Sequence, residues 1–353
     1  MVLSWLLLKD TKNKTELAEV KEEEWDLIIQ NRKGFFNTNF SSIWRYRDLL
    51  LLFVRRDFIA FYKQTILGPL WFFVQPIIAT IIFTVIFNKI AHLPTDGVPA
   101  IVFYMAGITF WGYFADCINK TSTTFTVNQD LFGKVYFPRI IVPLSVILTN
   151  MLKLGVQFLL FLAVWMFYLI TQDSIEPNWS ISLFPVLIIT MALLGLGLGM
   201  IISSLTTKYR DLSFLVAFGV QLAMYATPIA YPLSITDSSD TLTKQELMED
   251  DNSAVVDFNG KQVVIAERSN VLSIKEWNNI QDGGTIDDSI NWTRIALLAN
   301  PMTSIIETFK YAFLGSGNIP VTGLIYSICF SIFVFLFGIV IFNRVEKSFI
   351  DTV

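Results

Sequence analysis

From Gln64 to Asn88 the chain carries no charged residue, and a helix of that length and polarity can cross the hydrocarbon core of a bilayer. Similar runs recur along the sequence. On length and lack of charge, spans fall near 67–88, 99–116, 141–170, 181–205, 212–232 and 321–342. Composition agrees: 16% of residues are charged and mean hydropathy is +0.54, where an ordinary soluble domain is about 25% charged. The expected fold class is an all-α polytopic membrane protein of six transmembrane helices. The net charge of −4 accompanies no basic module of the kind that binds nucleic acid.

The segment before the first span reads W-R-Y-R-D-L-L-L-L-F-V-R-R-D-F from Trp44 to Phe58. Its charged residues are Arg45, Arg47, Asp48, Arg55, Arg56, Asp57 and, further on, Lys63. The apolar run Leu49 to Val54 is too short to span, and several of the charges share one side of a helical wheel. An interfacial helix over 44–66 fits this pattern. Residues 1–43 form a polar N-terminal segment. Its opening M-V-L-S-W-L-L-L lacks a basic n-region and is followed by Lys9, Asp10 and Lys12; it reads as a peripheral anchor or packing segment, with a signal peptide as the other reading.

Basic residues set the orientation. They flank the first span on its N-terminal side, follow the second (Lys120, Lys134, Arg139) and the fourth (Lys208, Arg210), and recur in the tail (Arg344, Lys347). The opposite short loops hold Lys89 with His92, Asp96, Asp173 and Glu176. The positive-inside rule then puts both termini in the cytoplasm. Spans one to five occupy 67–235 and the sixth, with its tail, 321–353. Near 121–138, Asn128, Asp130 and Lys134 suit a short helix lying across the membrane surface. Pro138 would end it and Arg139 anchor the next span; an ordinary loop is the alternative. Between Pro232 and Asn300 twelve acidic residues face five basic ones, and topology makes this region extracytoplasmic. Inside the insert, 236–290, the sequence alternates about Asn259-Gly260, which signals a β-hairpin. The insert is a small folded unit or a mobile loop. The stretch 291–320 includes a helix from Asn300 to Gly315 that is short of a span, carries Glu307 and Lys310, and reads as an outer interfacial or re-entrant element.

Chemistry is sparse. No G-x-x-x-x-G-K-[ST] loop occurs, so the chain does not bind ATP in the P-loop manner. Single His92 and two separated cysteines, Cys117 and Cys329, form no metal or disulfide pattern. No catalytic, cofactor-binding or metal residue is assigned. Aromatic residues crowd span two (Phe103, Tyr104, Phe110, Trp111, Tyr113, Phe114), and Tyr225 and Tyr231 sit toward the end of span five. They either line a passage, stacking on sugar rings, or belong to interfacial belts and lipid-facing packing. Lys153 lies inside a long span, as a functional charge or one that snorkels to the interface. Gly195, Gly197 and Gly199 suit close helix contact, within the chain or between chains.

Several stretches resemble the polysaccharide-exporting ABC-2 type permeases, the O-antigen, teichoic acid and capsule exporters. They are R-Y-R-D-L-L…V-R-R-D-F…Y-K-Q-T-I-L-G-P-L-W, N-Q-D-L-F-G-K-V-Y-F-P-R-I-I-V-P-L-S, K-Y-R-D-L (Lys208 to Leu212), T-P-I-A-Y-P (Thr227 to Pro232) and N-P-M (Asn300 to Met302). They occur in order over most of the chain from about Trp25. The resemblance implies a bacterial inner-membrane homodimer joined to two copies of a separate P-loop ATPase, which holds the ATP and Mg. It implies export of an undecaprenyl-linked glycan between protomers, with O-antigen the favoured cargo. It makes Asn128 to Phe137, with Asp130, Leu131 and Lys134 and the adjoining Arg139, the ATPase-coupling segment, and sets the interfacial helix beside the ATPase. The insert, roughly Thr236 to Asp288, departs from the short link expected there. The alternative is an ATP-independent carrier or channel, which would show repeats and midplane charges. The sequence offers no clear repeat and only the solitary Lys153, and it lacks the acid/base cluster that a membrane enzyme would need.

Overall fold

The computed structural model describes residues 44–63, 65–135, 137–172, 175–233, 254–258, 261–265, 292–317 and 319–350, all within one compact unit, Asn39–Val353. The expectations for 1–43, for most of the 236–290 insert and for its Asn259-Gly260 turn lie outside the described residues.

Helix α1 is Arg47–Ala60, shorter than the 44–66 expected. The first membrane-length helix, Gly68–Ile90, opens with a tight turn containing Pro69, continues as α2 (Trp71–Phe83) and widens to π geometry over Thr84–Ile90. Pro69 is tolerated because first-turn N–H groups have no intrahelical partner. Then come α3 (Ala100–Ser122), short helices α4 (Thr124–Val127) and α5 (Gln129–Lys134), α6 (Ile141–Thr171), and α7 (Phe184–Thr206) after a tight turn at Trp179–Leu183. Next are α8 (Leu212–Tyr225), α9 (Trp292–Ala299), α10 (Pro301–Leu314) and α11 (Val321–Ile350). Strands β1 (Ala254–Phe258) and β2 (Lys261–Ile265) pair antiparallel, with Val256 opposite Val263.

Among the described residues, five helices are long and apolar enough to cross a membrane: Gly68–Ile90, Ala100–Ser122, Ile141–Thr171, Trp179–Thr206 and Val321–Val345. The run expected to span at 212–232 differs. Its helix α8 has 14 residues, reaching about 21 Å against a hydrocarbon core of about 30 Å. Two prolines account for the early stop: Pro228 and Pro232 lack the N–H that would continue the helical ladder. Thr227 through Tyr231 form turns, with the Ile229 N–H donating to the Thr227 carbonyl at 2.7 Å.

Helix α3 is the centre of the bundle and packs against α6, α7 and α10. Helices α7 and α11 meet backbone to backbone. A Cβ at Gly197 would stand 2.7 Å from the Phe335 amide nitrogen, and one at Gly338 would stand 2.6 Å from the Gly197 carbonyl oxygen. Gly195 and Gly199 likewise face Cys117 and Thr121 of α3. These glycines therefore serve close packing within the chain, where dispersion contacts replace the hydrophobic drive that lipid removes.

Candidate functional site

Helix α1 buries Phe53 and Val54 and turns Arg47, Arg55 and Arg56 outward, and Arg45 before it and Lys63 after it are exposed as well. Arg47 lies over the Trp44 ring, 5.4 Å from its centroid, and Arg56 Nε donates to Asp57 at 2.8 Å. The apolar side of α1 rests on α6. Beyond α3, Asn128 hydrogen-bonds through Nδ2 to the Thr124 carbonyl at 3.0 Å and marks the junction of α4 and α5. Asp130 sits in the first turn of α5 and Lys134 in its last, each with the sign that the helix dipole favours. Both side chains are exposed, and Leu131 is half-buried. Phe137 and Arg139 are buried, and the Arg139 guanidinium lies 5.2 Å from the Phe132 centroid.

A chain of rings joins these elements. Phe53 of α1 meets Phe137 at 5.8 Å, Phe137 meets Phe132 at 5.8 Å, Phe132 meets Phe125 at 5.9 Å, and Phe125 stacks on Phe342 of α11 at 4.6 Å. Two exposed charges on a short surface helix are thus wired by rigid contacts to α1 and to the last membrane-length helix. Of the ring chain, sequence reasoning named Phe137 alone. Phe125 and Phe132 stood within the quoted stretch, but sequence gave no sign of the partner helix.

Lys153 lies in α6 and donates to Asp116 Oδ2 of α3 at 2.7 Å. Lys120, one turn beyond Asp116, lies 3.8 Å from the same carboxylate and donates to Asn150 Oδ1 at 2.8 Å. Lys153 is therefore paired between helices rather than solitary. Asp116 was missed because it falls at the predicted end of span two, where α3 runs six residues further to Ser122.

The α3 aromatics Phe103, Tyr104, Phe110, Trp111, Tyr113 and Phe114 are all buried. Phe110 meets Phe309 of α10 at 4.0 Å, and Trp111 meets Phe114 at 5.4 Å. As described, they pack inside the chain and face no open space. Tyr225 is 53% exposed, and the half-buried Tyr231 reaches the Tyr225 carbonyl at 3.5 Å.

Helix α10, outside the span-length helices, is buried along nearly its whole length. Its N-cap Asn300 accepts from the Met302 N–H at 3.0 Å and donates to Thr227 Oγ1 at 2.8 Å. Its four last carbonyls, which have no intrahelical donor, all find partners. Asn178 serves Tyr311 and Ala312, Trp165 Nε1 serves Phe313 at 2.8 Å, and the Glu176 N–H serves Leu314. Gly315 follows at φ +73, where a side chain would meet the Glu176 carbonyl at 2.7 Å. Within the helix, fully buried Lys310 donates to Glu307 at 3.3 Å and to the Pro228 carbonyl at 2.6 Å, beneath the Phe103 ring at 3.8 Å. Burial pushes the Glu307 carboxyl up and the Lys310 ammonium down from their ordinary values, and each partner opposes the other's shift. The Thr227-Pro228 turn and the Asn300-Pro301 turn, far apart in sequence, are bound together through these contacts.

The family model for the ABC-2 type transporter matches residues 48–238, which covers α1 through α8 and the turn beyond. The chain belongs to the ABC-2 type transporter family. As a family member with several membrane-length helices, it is a multi-pass membrane protein. It is 30% identical over 200 residues to the O-antigen export system permease protein RfbA of Myxococcus xanthus, covering 56% of this chain and 74% of that one. It is 29% identical over 187 residues to the O-antigen export system permease protein RfbA of Klebsiella pneumoniae, covering 52% and 69%. No group of three or more His, Cys, Asp or Glu side chains able to hold a metal occurs among the described residues.

Proposed function

We propose that this ABC-2 chain is the membrane subunit of an exporter that carries a lipid-linked polysaccharide, an undecaprenyl-linked O-antigen, across the bacterial inner membrane. The observation that carries the proposal is its similarity to two O-antigen export permeases over more than half of its length. Two copies of the chain form the passage and two copies of a separate P-loop ATPase, with their ATP and Mg, drive it. Both termini are cytoplasmic, α8 with the turn after it serves as a sixth membrane element, and α9 and α10 form the outer re-entrant pair. Asn128, Asp130, Leu131, Lys134, Phe137 and Arg139 form the coupling segment. ATP binding moves it, and the ring chain from Phe53 to Phe342 passes that movement to α1 and α11. Coupling of this kind needs an element with two arrangements that both sites bias, and a short helix held by ring contacts is suited to it. Tyr225 and Tyr231 line the passage, and the α3 aromatics back it.

The test is deletion of the gene followed by gel analysis of surface glycan, with affinity capture of the tagged chain. The expected result is loss of O-antigen, restored by the wild-type gene, and capture of a P-loop ATPase. Unchanged surface glycan together with capture of no ATPase would overturn the proposal.

A further inference from the structure

We propose that a cleft between α1, the end of α3, α4 and the first half of α6 binds the phosphoryl headgroup of a membrane lipid carrying one net negative charge. This goes beyond glycan export and rests only on the chain's lying in a membrane. The cleft encloses about 460 Å³, and its lining includes Arg56, Phe61, Lys120, Thr124, Asn128 and Asn150, a size in the usual range of small-ligand sites. Three features select its occupant.

The first is charge. The charged residues lining the cleft are Arg56, Asp57 and Lys120, and Asp116 and Lys153, which pair with each other behind Lys120, add no net charge, so one positive charge is left over. Arg56 meets Asp57 through Nε and lies over the Phe53 ring at 4.8 Å, and its terminal guanidinium nitrogens make no hydrogen bond among the described residues. Asn150 fixes Lys120 at the cleft by accepting its hydrogen bond at 2.8 Å. Basic pockets between membrane helices are suited to lipid head groups, and guanidinium and ammonium groups make charge-assisted bonds to phosphate.

The second is an orphan donor. Thr124 lines the cleft, and its buried hydroxyl has no hydrogen-bond partner among the described residues. A buried hydroxyl left unpaired is costly, and a phosphate oxygen in the cleft would accept from it. The third is a path for hydrocarbon. Phe61, whose ring lies 4.0 Å from the Lys120 ammonium, also lines an apolar groove of about 630 Å³ with Trp71, Ile78 and Ile82 of α2. Phe61 thus lies between the cleft that holds Arg56 and Lys120 and an apolar groove along α2, so a headgroup at the cations could leave its hydrocarbon chain against α2.

The experiment is native mass spectrometry of the full chain in detergent micelles, titrated in turn with phosphatidylglycerol, zwitterionic phosphatidylcholine and a polyprenyl phosphate. One phosphatidylglycerol per chain should survive activation that strips phosphatidylcholine. Lys120→Gln and Thr124→Val should each weaken that binding about tenfold, and Lys89→Gln, at an exposed site outside the cleft, should not. Thr124→Val keeps the side-chain shape and removes an unpaired hydroxyl, so thermal stability without lipid should not fall; this separates lost binding from misfolding. Displacement of phosphatidylglycerol by polyprenyl phosphate would support the site and assign it to prenyl lipid, and resistance to displacement would support it and assign it to bilayer lipid. Equal retention of phosphatidylglycerol and phosphatidylcholine, or unchanged binding by Thr124→Val, would overturn the proposal. Neither outcome bears on whether the chain exports glycan.

Discussion

Lys310 and Glu307 show how a charge can be carried in an apolar interior. Each is almost wholly enclosed, and Lys310 divides its donors between the Glu307 carboxylate and the Pro228 carbonyl under an aromatic face. Removing one partner strands the other. Lys310→Met is expected to lower stability by about 3–5 kcal/mol, the typical cost of an uncompensated buried charge, read as a fall in the melting temperature of the detergent-solubilised protein. Adding Glu307→Gln should recover part of the loss but not all, because the Pro228 carbonyl still lacks its donor. A double variant no more stable than Lys310→Met would contradict the pairing. The Asp116–Lys153 pair is less enclosed, its side chains being 28% and 13% exposed, and Lys120 offers Asp116 a second cation. A double-mutant cycle of Asp116→Asn and Lys153→Met should therefore give a smaller coupling, about 1 kcal/mol. A zero coupling energy in thermal unfolding would remove the contact from the account.

At the scale of elements, α5 separates two roles that a single substitution usually mixes. Asp130 and Lys134 point to solvent, whereas Phe132 is buried between Phe125 and Phe137. Joint Asp130→Ala and Lys134→Ala should leave the melting temperature unchanged and abolish surface glycan while the partner's ATP hydrolysis persists. Phe132→Ala should lower the melting temperature as well, since it empties a packed aromatic position. Normal glycan in a stably expressed Asp130→Ala, Lys134→Ala double variant would remove this helix from coupling.

The same element shows what the sequence made legible. Asn128, Asp130 and Lys134 suited a short helix, with a loop as the alternative, because charge and spacing are local properties; the helix, Gln129–Lys134, stops at an extended Val135 and not at Pro138. The ring chain was not legible, since Phe342 lies more than two hundred residues away and stacking depends on helix crossings. Apolar runs located the long helices, but the length of α8 escaped because hydropathy continues through Pro228 and Pro232 whereas the hydrogen-bond ladder does not. Lys153 stood out as a lone charge, and only the crossing of α3 and α6 supplied its partner. The glycines of α7 left two readings open, which the backbone contact at Gly338 resolves toward packing within the chain.

For the whole molecule the open question is what covers α8. None of its residues is buried, and Phe214, Leu215, Phe218, Leu222 and Tyr225 are each more than half exposed. Apolar exposure is ordinary for a helix in lipid, so it is length that sets α8 apart. A helix of about 21 Å leaves a hydrophobic mismatch that oligomerisation can relieve. If two chains meet along α8, a cysteine replacing Phe218 near its middle should cross-link to its counterpart. In a Cys329→Ser background, with Cys117 buried, oxidant-treated membranes carrying Phe218→Cys should yield a dimer on a denaturing gel. Leu159→Cys, on an equally exposed face of α6, should remain monomeric. Equal cross-linking at both positions would indicate random collision, and none at Phe218 would remove α8 as a contact between chains.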